Sequence, residues 1–190
     1  MRRKISLMLF FICLFISINA QDHICFRNIP INGHLSVFVQ KMKTLGYKSI
    51  YSSEKAEVFE GIFAGKEANI YVLASSKSKT VFKVTVLYPK RETWLKLKSE
   101  FLDMKDLFQK KYGTPNDVYD FFDSPYEEGD GYEIQALKSD KVHFVVFWDD
   151  KDGVIELSID ESCQVQITYE DNKNTIIANR ELDDSRLRDI

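Results

Sequence analysis

The residues best able to do chemistry lie between Lys111 and Lys138. This stretch holds no basic residue and seven acids: Asp117, Asp120, Asp123, Glu127, Glu128, Asp130 and Glu133. Tyr119, Phe121, Phe122, Tyr126 and Tyr132 are interleaved with them. Carboxylates repel one another and stay hydrated, while aromatic rings give rigid contact area. Together they suit a basic partner or a divalent cation. Tyr126, Glu127, Glu128 and Tyr132 are the candidate contact residues. The competing reading is an edge strand followed by a solvated loop, with the rings turned inward. Paired carboxylates also serve glycoside hydrolysis, in which one acts as acid and the other as base or nucleophile.

Other catalytic material is sparse. The three histidines are His23, His34 and His143. The first is expected in a loose start, the second beside a turn and the third within a strand. No serine sits in a nucleophile-elbow pattern, and no glycine-rich loop has phosphate-binding spacing. Asp149–Gly153 has calcium-loop composition. Placing Asp150, Asp152 and Gly153 at the third, fifth and sixth loop positions puts Trp148 and Ile159 where oxygen ligands are required. The segment therefore reads as a tight turn. Neither Cys25 nor Cys163 has a second Cys or a His pair at zinc spacing, so no metal or cofactor is expected.

The N-terminus sets the compartment. Arg2, Arg3 and Lys4 precede an apolar run from Ile5 to Ile18, which ends at Ala20 before polar Gln21 and Asp22. That is the layout of a secretory signal peptide over residues 1–20. The run is too short to span a bilayer comfortably, and no membrane span is expected after cleavage. An exported chain meets oxidising conditions, which permit a disulfide between Cys25 and Cys163; two buried thiols are the alternative. Cleavage takes the basic residues from 26 to 23 against 29 acidic ones, a net charge of −6. A mildly acidic chain is poorly suited to nucleic acid, whose binding needs clustered Lys and Arg.

The elements that must position these residues show by periodicity. Leu35, Phe38, Val39, Met42 and Leu45 mark a first helix, stopped at Gly46. Trp94, Leu97, Phe101, Met104, Phe108 and Tyr112 mark a second, stopped by Gly113-Thr114-Pro115. Strands are expected at Glu57–Ala64, Ala68–Ala74 and Thr80–Tyr88 after the first helix. After the second they are expected at Val118–Phe122, Tyr132–Leu137, Val142–Trp148, Val154–Ile159 and Gln164–Tyr169. In the strand before Pro89, the alternation turns Phe82, Val84, Val86 and Tyr88 one way and Val81, Lys83, Thr85 and Leu87 the other. The fold class is α+β: an antiparallel sheet with two main helices on one face and a short helix near Asn174. The order suggests two helix-plus-meander halves, about 30–89 and 90–170, in a single domain over 21–182. A charged tail, 183–190, follows.

"PINGHLSVFVQKMKTLGY", "LYPKRETWLKLKSEFLDMKDLFQKKYGTP" and "IELSID" followed by "CQVQITYED" resemble a group of small, uncharacterised exported proteins of Bacteroidota. The fold plan is also similar to that of β-lactamase-inhibitor-like proteins, in which helix-plus-sheet units repeat and the free sheet face grips a partner. The first resemblance carries no assigned activity, the second extends to fold plan alone, and neither carries over a functional residue. Export to the periplasm or beyond is expected from the signal peptide, and a binding role from a strong core beside an absent catalytic set. The expectation is a non-enzymatic protein- or peptide-binding domain of the cell envelope. A hydrolase centred on carboxylates or His143, or an envelope structural protein, are the alternatives.

Overall fold

The structure is a computed structural model and describes residues 23–188. The signal-peptide expectation, its cleavage site and the last two residues of the tail lie outside them. No helix among the described residues is long and apolar enough to cross a membrane.

Both expected helices form. Helix α1 (Leu35–Thr44) buries Leu35, Phe38, Val39 and Met42, one stripe at helical spacing. Its N-cap is His34, whose Nδ1 accepts from Ser36 N at 3.3 Å. Helix α2 (Trp94–Tyr112) buries Trp94, Leu97, Phe101, Met104 and Phe108. It stops at Gly113, whose φ of 88° few other residues adopt readily.

The helices lie on an antiparallel sheet of eight strands. The first four are β3 (Lys48–Ser52), β4 (Ala56–Phe63), β5 (Lys66–Ala74) and β6 (Val81–Leu87). The last four are β7 (Asp117–Phe122), β8 (Val142–Asp150), β9 (Gly153–Ile159) and β10 (Val165–Asp171). Their order across the sheet is β3-β4-β5-β6-β10-β9-β8-β7. Each half is thus a helix followed by a four-stranded meander, and the two meanders meet where β6 pairs with β10. Thr85 faces Thr168 at the middle of that pair, with the hydroxyls 3.2 Å apart. The tight β4–β5 turn has positive φ at Ala64 (48°) and Gly65 (80°), which matches the twist of a two-residue hairpin.

Alternation divides the sheet into two faces. Phe59, Ile70, Val72, Val84, Val86, Phe144, Val146, Leu157 and Ile167 point toward the helices and form one core with them. A short N-terminal hairpin, β1 (Cys25–Phe26) with β2 (Ile29–Pro30), closes the helix side. Phe26 is fully buried; its ring stacks on Phe63 at 5.3 Å and meets Tyr169 edge-on at 5.4 Å. The hairpin is anchored by Asp171, fully buried, which accepts from Ile24 N at 3.2 Å and lies 2.9 Å from His23 Nδ1.

Several details differ from the sequence expectations. Tyr132–Leu137 is not a strand: Glu133–Lys138 forms a one-and-a-half-turn helix, α3, that buries Ala136 and Leu137. Lys48–Ser52 adds a strand that the pattern missed. Val81 is buried and Phe82 only half-buried, because a bulge opposite Leu73 and Ala74 shifts the register there. Cys25 and Cys163 are not joined. Cys25 lies beside the Asp171 end of β10, whereas Cys163 sits in the turn before Val165. The strand between puts them about 20 Å apart, far beyond disulfide reach. Burial pushes the Cys25 thiol pKa up.

The last helix is longer than expected. Helix α4 (Asn172–Arg186) takes in the first four residues of the charged tail, 183–186. Asp171 caps it by accepting from Asn174 N at 2.9 Å, and buried Asn174 donates to Ile31 O at 2.8 Å and Val81 O at 3.2 Å. Glu181 then receives Lys77 N at 2.6 Å and Ser78 N at 3.1 Å, tying α4 to the β5–β6 turn.

Candidate functional site

The acidic–aromatic segment splits into two places. Residues 123–132 make a loop at the start of α2, and 117–122 make β7 at the sheet's edge. The loop is held largely by its own acids. Asp130 accepts from Glu127 N at 3.0 Å and Tyr132 N at 2.7 Å, and Glu133 accepts from Gly129 N at 2.9 Å.

The four predicted contact residues do not act alike. Glu128 accepts from Trp94 Nε1 at 3.1 Å and pairs with Lys98. The Lys98 hydrogen bond lowers its pKa, against the raising effect of burial, and the Trp94 bond lowers it further. Glu128 therefore fastens the loop to α2. Tyr126 packs against the core, with its hydroxyl 3.4 Å from Gln135 Nε2. Glu127 and Tyr132 are exposed, Tyr132 by 60%. The four residues do not converge on one recess.

The sheet face opposite α1, α2 and α3 gathers a different set. β7 pairs with β8 so that Tyr119 lies opposite Val145 and Phe121 opposite His143. All four point away from the helices, because the next residues along β8, Phe144 and Val146, are buried in the core. The Phe121 ring is 4.7 Å from the His143 ring, and Tyr119 meets Phe147 edge-on at 6.3 Å. Tyr119 is 45% exposed and Phe121 48%. At the other end of the same face, Tyr51 is 59% and Ile62 56% exposed. Tyr71, Leu73 and Leu87 lie between. At about 4.8 Å per strand, this outward face is about 40 Å across.

Its only sequence signal was the alternation in "DVYDFFD". The aromatics were visible there, but their side of the sheet depended on the β7–β8 register.

A histidine and a carboxylate come together on this face. His143 Nε2 lies 3.2 Å from Asp123 Oδ2, and Lys141 Nζ is 3.6 Å from the same oxygen. The hydrogen bond with His143 lowers the Asp123 carboxyl, opposed by burial and reinforced by Lys141. A carboxylate that orients an imidazole in this way can hold or pass a proton. Among the described residues no three His, Cys, Asp or Glu side chains are grouped to hold a metal ion.

Several clefts lie away from the His143–Asp123 pair. One of about 560 Å³ opens between α1 and the β3–β4 turn. Its wall includes Glu57, which is buried and accepts from Ser49 Oγ at 2.5 Å. Another, about 490 Å³, opens at the end of the outward face, where Ile62 and Leu87 join Gly61, Tyr88 and Gln164 in its wall. Neither of these takes in the predicted loop residues; a third, about 420 Å³, lined by Leu95, Lys98 and Leu102 of α2, takes in Glu128.

The chain matches no family model, and no curated protein or solved structure is significantly similar to it.

Proposed function

We propose that the protein is an exported, non-enzymatic binding protein of the cell envelope that holds a protein or peptide against the outward sheet face. One observation carries this reading: Tyr51, Ile62, Tyr119 and Phe121, each between 45% and 59% exposed, share that face. The helix side uses its large rings differently, burying Phe38, Phe59, Phe101 and Trp94 in the core. Large rings left in water cost free energy when the protein is alone and return it when a partner covers them. A surface mixing Tyr, Phe and Ile with scattered charges has the composition of a partner interface.

Site-directed photo-crosslinking tests the reading. A photoreactive residue at Tyr71 or Phe147 reports on the outward face, and one at Leu95, 79% exposed on α2, reports on the helix side. The expected result is discrete partner adducts from the first two positions in the producing cell and none from Leu95. Equal adduct patterns from both sides would sink the assignment.

A further inference from the structure

The outward face ends at β7, and this strand is an unusual edge. Asp123 N donates to Lys141 O at 2.9 Å, continuing the register that sets Phe121 opposite His143. Antiparallel strands alternate residues whose backbone groups bond the neighbour with residues whose groups point away. Tyr119 and Phe121 therefore bond β8, while the N–H and C=O of Val118 and Asp120 face outward. Both residues are exposed, Val118 by 42%. No described residue caps these groups.

The side chains along this edge point to one kind of occupant. β7 has no basic residue, and the carboxylates of Asp117 and Asp120 make no ion pair or hydrogen bond with any described residue. Most other acids nearby do: Asp123 has His143 and Lys141, and Glu128 has Lys98 and Trp94. The two unpaired acids lie three residues apart, so they sit on opposite faces of the strand with Val118 and Tyr119 between them.

We propose that β7 accepts an extended, basic segment of the partner protein as a ninth strand. This rests on the outward face being the partner side, and it names the chemistry of what binds there. The segment carries two cations three residues apart with two apolar residues between, a pattern that reads the same in either strand direction. One cation meets Asp117 on the outward face, and the other meets Asp120 on the helix side. An apolar residue lies beside Tyr119. Backbone hydrogen bonds supply affinity and the two carboxylates supply selectivity. A second copy of this chain fits less well: β7 against β7 would bring two rows of unpaired aspartates together with no cation between them.

The test is a fluorescein-tagged octapeptide with Lys-Val-Ile-Lys at its centre, titrated by anisotropy into the full chain. A Glu-Val-Ile-Glu version is the control. Val118→Pro removes an outward N–H that the sheet does not use, so it blocks the edge while sparing the β8 ladder. Asp120→Lys is the second variant, independent of any effect of proline on folding, and circular dichroism checks both. The expected result is a rise in Kd of about tenfold or more in each variant, and no binding of the acidic control. N-methylating alternate peptide amides should abolish binding in one phase and spare it in the other.

Binding unchanged within about twofold in Val118→Pro and Asp120→Lys would overturn the proposal. So would equal sensitivity to both methylation phases. A dimer of the wild type that Val118→Pro dissociates would give the edge to a second copy instead. The two readings fail separately: crosslinks at Tyr71 and Phe147 that persist while the probe fails to bind retain the outward face and remove the edge.

Discussion

The two halves follow one plan and finish it differently. In the first, α1 has 10 residues, and β3 turns directly into β4. In the second, α2 has 19, and a loop with α3 separates β7 from β8. The edges diverge most. At β3, Lys48 pairs with Glu60 at 2.7 Å, Ser49 with Glu57 at 2.5 Å, and a bulge at Ile50 breaks the register. Lysines and bulges are common protections against unwanted strand pairing. At β7 the register runs unbroken over six residues, with two unpaired aspartates and two exposed rings. Folding needs both edges to exist but does not need them to differ. The difference marks β7 as the edge left available.

The largest expected effect tests whether the halves are one folding unit. Phe26 touches Phe63 and Tyr47 in the first half and Tyr169 in the second. The short α1 leaves room on the sheet that the N-terminal hairpin fills. Phe26→Ala should cost about 3–5 kcal/mol, since it removes a buried ring and leaves a cavity. Urea unfolding followed by both fluorescence and circular dichroism should remain one transition at a lower midpoint. Two separated transitions would show that the halves are held together only loosely.

A smaller effect concerns the tie between α4, at the end of the second half, and the β5–β6 turn of the first. Burial alone would raise the Glu181 carboxyl. Hydrogen bonds from the Ser78 side chain and from Lys77 and Ser78 N–H outweigh it and hold the pKa at about 2. A depressed folded-state pKa adds stability above the unfolded value near 4.5, and this is lost as pH falls toward 2. Glu181→Gln should therefore destabilise the protein at pH 7 and flatten its stability curve between about pH 4.5 and 2. Thermal melts across that window should show the slope shrink. An unchanged slope would detach Glu181 from the docking of α4.

What the sequence made legible follows from how far each signal reached. Helix α2 was clear because six large apolar residues repeat at helical spacing and Gly113 with Pro115 ends the run. The meanders were clear from alternation and turn residues. Segments too short to show a period were not. "YEIQAL" sets Tyr132, Ile134 and Ala136 at alternate positions, yet the helix it forms buries Ala136 and Leu137. β3 is almost wholly exposed, so it had no apolar alternation to reveal it. The long-range pairings were out of reach for another reason. Glu128 meets Trp94 and Lys98 from 34 and 30 residues away, so a carboxylate that looked available is a structural tether. The same limit hid the pairing of Phe121 with His143.

The smallest effect on stability carries the most direct test of the edge contrast. Lys48 and Glu60 are 75% and 48% exposed, so their ion pair is screened by water. Lys48→Val should leave the melting temperature within about 2 °C of wild type. Its effect should appear in association. Valine adds strand propensity and removes the charge that a second strand would have to bury against β3. If the lysine protects this edge, sedimentation should detect concentration-dependent dimers in the variant but not in wild type. If the variant stays monomeric, the bulge at Ile50 is sufficient, and deleting Ile50 should bring the dimer out. Either result shows what β7 lacks, because β7 has neither a lysine nor a bulge. A β3 that stays monomeric after both changes would mean that these devices do not distinguish the edges. The openness of β7 would then rest on its unpaired aspartates and rings alone.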